Sequence, residues 1–238
     1  MNIAIVGYGK MGKEIEKILI ERGHHISAKI SIDNIEDLGT LNPKNTDVAI
    51  EFTSPESAFQ NINNLLDQGV KVVSGSTGWL GDLDKINQSV VDKKRTFFYA
   101  SNYSLGVNIT FRLNEILAKM MEGKGYKVSM EEIHHIHKLD SPSGTAITLA
   151  EGIINNSDMS SWKEGEVISD DSLPIHSKRE GEVPGTHIVN YESPEDAIQI
   201  KHTAHSRRGF ALGAVLVAEW IENKSGFLTM DDYFDFSV

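Results

Sequence analysis

One stretch at the start of the chain restricts the fold more than any other. The apolar run Asn2-Ile3-Ala4-Ile5-Val6 stops at Gly7, and Gly7-Tyr8-Gly9-Lys10-Met11-Gly12 then leads into helically spaced Ile15, Ile18 and Leu19. This order predicts a strand, a tight turn and a helix from Met11 to Ile20. Gly23 closes that helix, and Ile26, Ala28, Ile30 and Ile32 predict a second strand from His25 to Ile32, ending at Asp33. In such a βαβ unit Gly7 permits the turn, Gly9 lets the backbone approach a pyrophosphate, and Gly12 allows close helix-strand packing. The helix start offers free N–H groups to the anion. Asp33 stands about 20 residues on, where an acid accepts hydrogen bonds from an adenine-side ribose. Dinucleotide binding is favoured over a glycine-rich turn in a cofactor-free domain. Lys10 and Lys13 flank the turn and suit either a 2'-phosphate or plain solvation, so NADH and NADPH both stay open.

The alternation continues. Asp47 to Thr53 reads as a strand, Pro55 to Gln68 as a helix opened by Ser54-Pro55, and Val70 to Ser74 as a strand. Leu83 to Lys94 reads as a helix before the strand Thr96 to Ala100. Strands and helices alternating at this length imply a parallel sheet covered on both faces. Gly75-Ser76-Thr77-Gly78 and Ala100-Ser101-Asn102-Tyr103 then fall at the carboxyl edge of that sheet, where doubly wound sheets bind ligands. After Asn102 the rhythm changes: Ser104 to Met121 reads as one long helix and Lys127 to Ile133 as a strand. A helix from Thr145 to Ile154 follows, then alternating segments Val167 to Ser169, Gly185 to Tyr191 and Ala197 to His202. A largely antiparallel sheet is expected there, with the polar, acidic segment Ser157 to Ser172 as a loop or flap. Gly209 to Ile221 returns to helical spacing and is expected to pack on the first domain.

Composition narrows the partners. A chain of 238 residues with 39% apolar content can bury a core, and a net charge of -11 disfavours nucleic acid, whose phosphates need a basic face. A small metabolite is the expected ligand. Cysteine is absent, which removes disulfides and thiol nucleophiles. The amino terminus opens into a strand pattern instead of an export signal, and Ala211 to Ile221, broken by Gly213 and Glu219, falls short of the about 20 residues that span a bilayer. A cytoplasmic protein without a membrane role is expected.

The chemistry concentrates in Glu132-Ile133-His134-His135-Ile136-His137-Lys138-Leu139-Asp140-Ser141-Pro142-Ser143-Gly144-Thr145-Ala146. If the strand from Lys127 runs on, His135 and His137 share one face and His134 the other, so the imidazoles divide roles. A histidine titrates near neutrality and suits proton transfer, with Lys138 holding or supplying positive charge beside it. His134 is the favoured acid-base residue, and His137 reads as a structural, hydrogen-bonded neighbour. The spacing H-H-x-H without cysteine does not match the usual zinc patterns, and no metal is expected. Ser143, Gly144 and Thr145 stand at the start of an apolar helix, where hydroxyl and N–H groups bind a carboxylate, although a plain cap by Ser143 uses the same atoms. His202, His205, Arg207 and Arg208 form a second basic cluster, equally suited to a dianionic ligand, a neighbouring subunit or solvent.

With these motifs in hand, the chain resembles the dihydrodipicolinate reductase family over nearly its whole length. Glu132 to Ala146 is similar to the family signature E-x-H-H-x-H-K-x-D-x-P-S-G-T-A, supported by Gly75-Ser76-Thr77-Gly78, Ala100-Ser101-Asn102-Tyr103, Ser206-Arg207 and Phe210-Ala211-x-Gly213-Ala214. The resemblance implies an α/β protein: a Rossmann-like parallel-sheet domain over 1–104 and 212–238, and a smaller α+β domain over 105–211 for substrate binding and homotetramer formation. It implies NADH or NADPH held by Gly7 to Gly12, Asp33, Gly75, Ser76, Thr77, Ala100, Ser101, Asn102 and Tyr103. It also implies hydride delivery to C4 of a cyclic dicarboxylate in lysine and diaminopimelate synthesis. His134 would donate or accept a proton, Lys138 would be a second donor, and His135 with Ser143, Gly144 and Thr145 would bind the substrate carboxylates. The chain departs from the family in a glycine turn that is often one residue longer and in Glu51, where Asp is usual; both bear on cofactor fit. Another two-domain dehydrogenase of an oxo or imino acid and a non-catalytic nucleotide sensor are the competing readings.

Overall fold

The computed structural model describes residues 1–166, 169 and 171–235, and the chain forms two compact units, Met1–Ser104 with Arg207–Val238 and Leu105–Ser206. The first contains β1 (Asn2–Val6), α1 (Lys10–Glu21), β2 (His25–Ile30), a 3-10 segment (Ile32–Thr40), β3 (Val48–Glu51), α2 (Pro55–Asp67), β4 (Lys71–Ser74), α3 (Leu83–Lys93) and β5 (Thr96–Tyr99). The second contains α4 (Leu105–Met121), β6 (Lys127–His134), α5 (Gly144–Ile154), β7 (Ser161–Glu164), β8 (Ser172–Arg179), β9 (Thr186–Glu192) and β10 (Ala197–Thr203). The chain then returns to the first unit with α6 (Arg208–Trp220), β11 (Gly226–Leu228) and α7 (Met230–Phe234).

The first unit is a six-stranded sheet in the order β11-β5-β4-β3-β1-β2, every pair parallel. All four residues of β3 are buried, as a strand covered on both faces requires. Ile15, Ile18 and Leu19 of α1 join Ala214, Val215 and Val217 of α6 on one face, and Ile62, Leu65 and Leu66 of α2 join Ile86 and Val90 of α3 on the other. The direction of winding changes between β1 and β3, which places the switch point, the usual ligand crevice of such sheets, beside Gly7 and Phe52. The second strand is shorter than its apolar run: it stops at Ile30 and Ile32 is 89% exposed. Ser31 explains this. Its hydroxyl accepts from Asp33 N (3.2 Å) and its own N–H donates to Asn34 Oδ1 (2.8 Å), a capping box that starts the 3-10 segment and puts Asp33 in its first turn.

In the second unit α4 and α5 cover one face of a five-stranded sheet, β10-β9-β6-β8-β7, through Ala118, Leu149, Ile153, Met130 and Val189. This sheet is mixed instead of largely antiparallel, because β9 pairs antiparallel with β6 and β10 while β8 pairs parallel with β6 and β7. Two strands escape the periodicity. Pro174 interrupts β8 yet Leu173 and Ile175 alternate into the core, and β7 is an edge strand, with no buried residue, inside the segment expected to be a loop. The strand expected over Val167 to Ser169 falls, apart from Ser169, outside the described residues. Among the described residues no helix is long and apolar enough to cross a membrane.

Candidate active site

At the carboxyl edge of the first sheet, Gly7 has φ +97, and a Cβ there would lie 1.9 Å from the Phe52 carbonyl oxygen, so β1 and β3 leave the sheet in backbone contact. At Gly12 a Cβ would lie 2.4 Å from the Gly7 carbonyl oxygen, which fixes the approach of α1 to the turn. Gly9 is exposed, with open space where its Cβ would stand, and it begins α1 without a side-chain cap. A helix start whose N–H groups have no side-chain partner, reached over a bare glycine, fits a pyrophosphate. Lys10, Lys13 and Asp33 are exposed.

The neighbouring turns are held by a buried carboxylate. Glu51 accepts from Ser74 Oγ (2.6 Å), Ser76 Oγ (2.8 Å), Thr53 N (3.0 Å) and the Thr53 hydroxyl, and burial raises its carboxyl against the pull of those bonds. The longer side chain at this departure from the family pattern therefore ties the end of β3 to the turn after β4. Tyr103 is buried and donates to the Ser74 carbonyl (2.7 Å), so its ring shapes the turn from below. Ser76 and Ala100 are buried as well, whereas Thr77 and Ser101 are exposed and Asn102 is half-buried, its Oδ1 accepting from Ser104 N at 2.9 Å.

The second unit builds its site on β6. Val128, Met130, Glu132 and His134 alternate onto the buried face, and the strand ends at His134. His135, Ile136, His137 and Lys138 consequently form a turn, with Lys138 N donating to the His135 carbonyl (3.1 Å), and the strand-face relation expected between His135 and His137 does not apply. Their rings still lie 6.2 Å apart, His135 half-buried and His137 71% exposed with its Nε2 3.5 Å from the exposed Glu182. Lys138 Nζ donates to both carboxylate oxygens of Asp140 at 2.9 Å. Burial works to raise the Asp140 carboxyl, and Lys138 outweighs it and holds it low.

Glu132 is fully buried and well neutralised. It accepts from Ser143 N (3.1 and 3.2 Å) and from Arg179 Nη2 (3.3 Å), with His134 Nδ1 at 3.3 Å and His187 Nε2 at 3.7 Å from Oε2. Burial acts to raise its carboxyl, and the His134 and Ser143 contacts overcome it and hold the group far below the ordinary carboxylate range. His134 Nδ1 is enclosed and lies 3.3 Å from Glu132 Oε2 without an aligned hydrogen bond. His187 packs edge-on against His134, 5.1 Å between ring centroids, and its Nε2 lies 3.1 Å from Ser143 Oγ. Burial first, and then the charge of His134, lower His187 to about 4, so it is neutral near pH 7. Ligand atoms of Glu132, His134 and His187 lie within 4.8 Å of one another, the spacing of a cation site. The Arg179 guanidinium and two contacts from Ser143 N already balance that carboxylate.

Ser143 caps α5 by accepting from Ala146 N (3.2 Å), and is itself buried. Its polar atoms are engaged internally; Gly144 beside it at the helix start is exposed, with open space at its Cβ position, and Thr145 is half-buried. The basic cluster near the C-terminus divides: His202 stands on β10 in register with His187, while Arg208 begins α6 and pairs with Glu21. Arg179 and His187 were not legible as site residues, because strand register and not chain proximity brings them to β6: His134 is opposite Arg179, and Glu132 opposite His187. The available signal was a histidine on the apolar face of an alternating strand.

Comparison with known proteins agrees in both halves. The family model for the N-terminus of dihydrodipicolinate reductase matches residues 1–103, and that for its C-terminus matches 106–234. The chain is 52% identical to the 4-hydroxy-tetrahydrodipicolinate reductase of Christiangramia forsetii over 98% of this chain and 97% of that one. It is 33% identical to the enzyme of that name from Archaeoglobus fulgidus, over 99% and 100%. In fold it is similar to the dipicolinate-bound dihydrodipicolinate reductase from Paenisporosarcina sp. TG-14, with a TM-score of 0.80, 21% identity and 98% of each chain covered.

Proposed function

The chain belongs to the dihydrodipicolinate reductase family, and from that premise we propose that it reduces 4-hydroxy-tetrahydrodipicolinate to tetrahydrodipicolinate with NADH or NADPH, in the cytoplasm, as a step of lysine and diaminopimelate synthesis. The observation that carries this reading is the second-unit site: a buried imidazole backed by a carboxylate, an ammonium one turn away, and a helix start suited to anions. Overall the ring gains a hydride at C4, takes up a proton and loses its 4-hydroxyl as water. When bound, the reduced nicotinamide supplies the hydride; the residues of the chain bind, orient and move protons.

In the first unit Gly7, Tyr8, Gly9, Lys10, Met11 and Gly12 hold the pyrophosphate at the start of α1, Asp33 meets the adenine-side ribose, and Lys10 and Lys13 are the cations available to a 2'-phosphate. Gly75, Ser76, Thr77, Ala100, Ser101, Asn102 and Tyr103 form the nicotinamide side, with Ser76 and Tyr103 acting through the loop geometry they fix. In the second unit the N–H groups of Gly144 and Thr145 and the ring of His135 hold the ring carboxylates, while Ser143 sets the helix start. Lys138 exchanges its Asp140 partner for substrate and serves as second proton donor. His134, whose Nδ1 faces Glu132, presents Nε2 as the reacting nitrogen. The second unit also assembles the chain into a homotetramer through its sheet.

The test is reduced-nicotinamide oxidation driven by freshly generated 4-hydroxy-tetrahydrodipicolinate, assayed with NADH and NADPH side by side. The expected result is turnover, with competitive inhibition by the planar dicarboxylate dipicolinate. Cofactor binding without turnover on this substrate would instead support the sensor reading, and turnover on open-chain oxo acids another dehydrogenase.

A further inference from the structure

Between the proton donor and the anion-binding helix start lies a continuous polar chain that no substrate contact explains. It runs from His134 Nδ1 to Glu132 (3.3 Å), from Glu132 to Ser143 N (3.1 Å) and to His187 Nε2 (3.7 Å), and from His187 Nε2 to Ser143 Oγ (3.1 Å). Three separate pieces of sequence contribute, β6, the α5 cap and β9 through His187, and Arg179 of β8 donates to Glu132 from outside this polar chain. All four members of the chain are at least nine-tenths buried. We propose that Glu132 and His187 are positioning residues, which hold the His134 ring and the carboxylate-binding start of α5 as one unit. This rests on the reductase reading, in which His134 moves a proton and α5 binds substrate.

The two residues divide the work by charge. Glu132 is an anion beside Nδ1, so it fixes a proton on that nitrogen and leaves Nε2 for substrate. The charged and titratable groups around His134 are Glu132 on β6, Arg179 on β8, His187 on β9, and Lys138 and Asp140 in the following turn. Of these, Glu132 is the only anion in contact with the ring among the described residues. His187 is neutral, and its Nε2 faces both the Ser143 hydroxyl and Glu132 while Nδ1 has no partner. The arrangement favours a proton on Nε2, donated toward Ser143, with the less costly unpaired lone pair on Nδ1. His187 therefore holds the α5 cap in place without adding charge to the site.

The experiment uses the full-length enzyme with saturating cofactor and records kcat and KM across pH for E132Q, E132D, H187Q and H187F. Glu132→Gln keeps the shape and removes the charge. It is expected to lower kcat at least about 10-fold and to move the alkaline limb of the kcat profile about one pH unit toward acid. Glu132→Asp keeps the charge, so its limb stays within a few tenths of a unit of wild type even where its rate falls. His187→Phe removes the Ser143 contact and is expected to raise substrate KM about 10-fold with the limb unmoved, whereas His187→Gln, which can still donate, holds KM within about 3-fold. Wild-type turnover, measured first, tests the reductase reading on its own. Given that turnover, the proposal is overturned if E132Q and E132D show the same limb, or if H187F and H187Q have the same KM. Should E132Q fail to fold, the E132D limb and the two His187 variants decide: an E132D limb displaced by a unit, or equal KM values, overturns it.

Discussion

His187 shows how one buried side chain can set a pH dependence. Its burial beside His134 lowers it from 6.5 to about 4. Between those values the unfolded chain binds a proton that the folded one refuses, so stability rises with pH through this window and is lost as pH falls through it. The contribution reaches about 3 kcal/mol by linkage. Glu132 acts in the same direction but lower, since a carboxyl held below its usual range loses its contribution only as pH falls under the unfolded value of 4.5. Urea unfolding at pH values spanning 4.5 to 6.5 should therefore show a slope in wild type that His187→Gln flattens; an unchanged slope would mean that His187 is protonated in the fold. At this scale the sequence was informative where chemistry is contiguous. His134, Lys138 and the α5 start fall in one run. Arg179 and His187 were hidden because their relation to Glu132 is a matter of strand register, which spacing along the chain does not encode.

At the scale of elements, the return of the chain to the first unit depends on α6 lying flat against the turn after β5. A Cβ on Gly213 would lie 1.7 Å from the Tyr103 carbonyl oxygen, a clash with backbone that no rotamer relieves. Gly213→Ala is expected to destabilise the protein by about 3 kcal/mol or more, while Gly209→Ala, with open space at its Cβ position, stays within about 1 kcal/mol of wild type. Thermal or urea melts of the two variants check this, and equal midpoints would remove Gly213 from the account of helix packing. The same elements explain what the sequence made readable. Strands β1, β3, β4 and β5 are buried runs and α1, α2 and α3 carry clear apolar faces, because each is sandwiched in a three-layer unit. β7 and β8 lack that signature: one is a solvent-exposed edge and the other carries Pro174, so their pairing partners, not their own residues, make them strands.

For the whole molecule, each of the two units carries a candidate site of its own. The first has a bare glycine at an uncapped helix start at the switch point of a parallel sheet, and the second has a buried carboxylate beside two buried imidazoles and the capped start of α5. Fold and family are shown by agreement over both halves of the chain. The assignment of roles within the site rests on His134 and Lys138 being the groups that move protons, since general acid catalysis contributes about 10²-fold or more. Neither residue belongs to the cofactor turn, so substitution there should leave cofactor affinity alone. The most direct measurement is kcat for 4-hydroxy-tetrahydrodipicolinate reduction in wild type, His134→Gln and Lys138→Ala, alongside calorimetric cofactor binding to each. The account predicts that both variants bind cofactor as wild type does and lose about 10²-fold or more in kcat; variants that bind cofactor normally and keep kcat within a few-fold of wild type would contradict it.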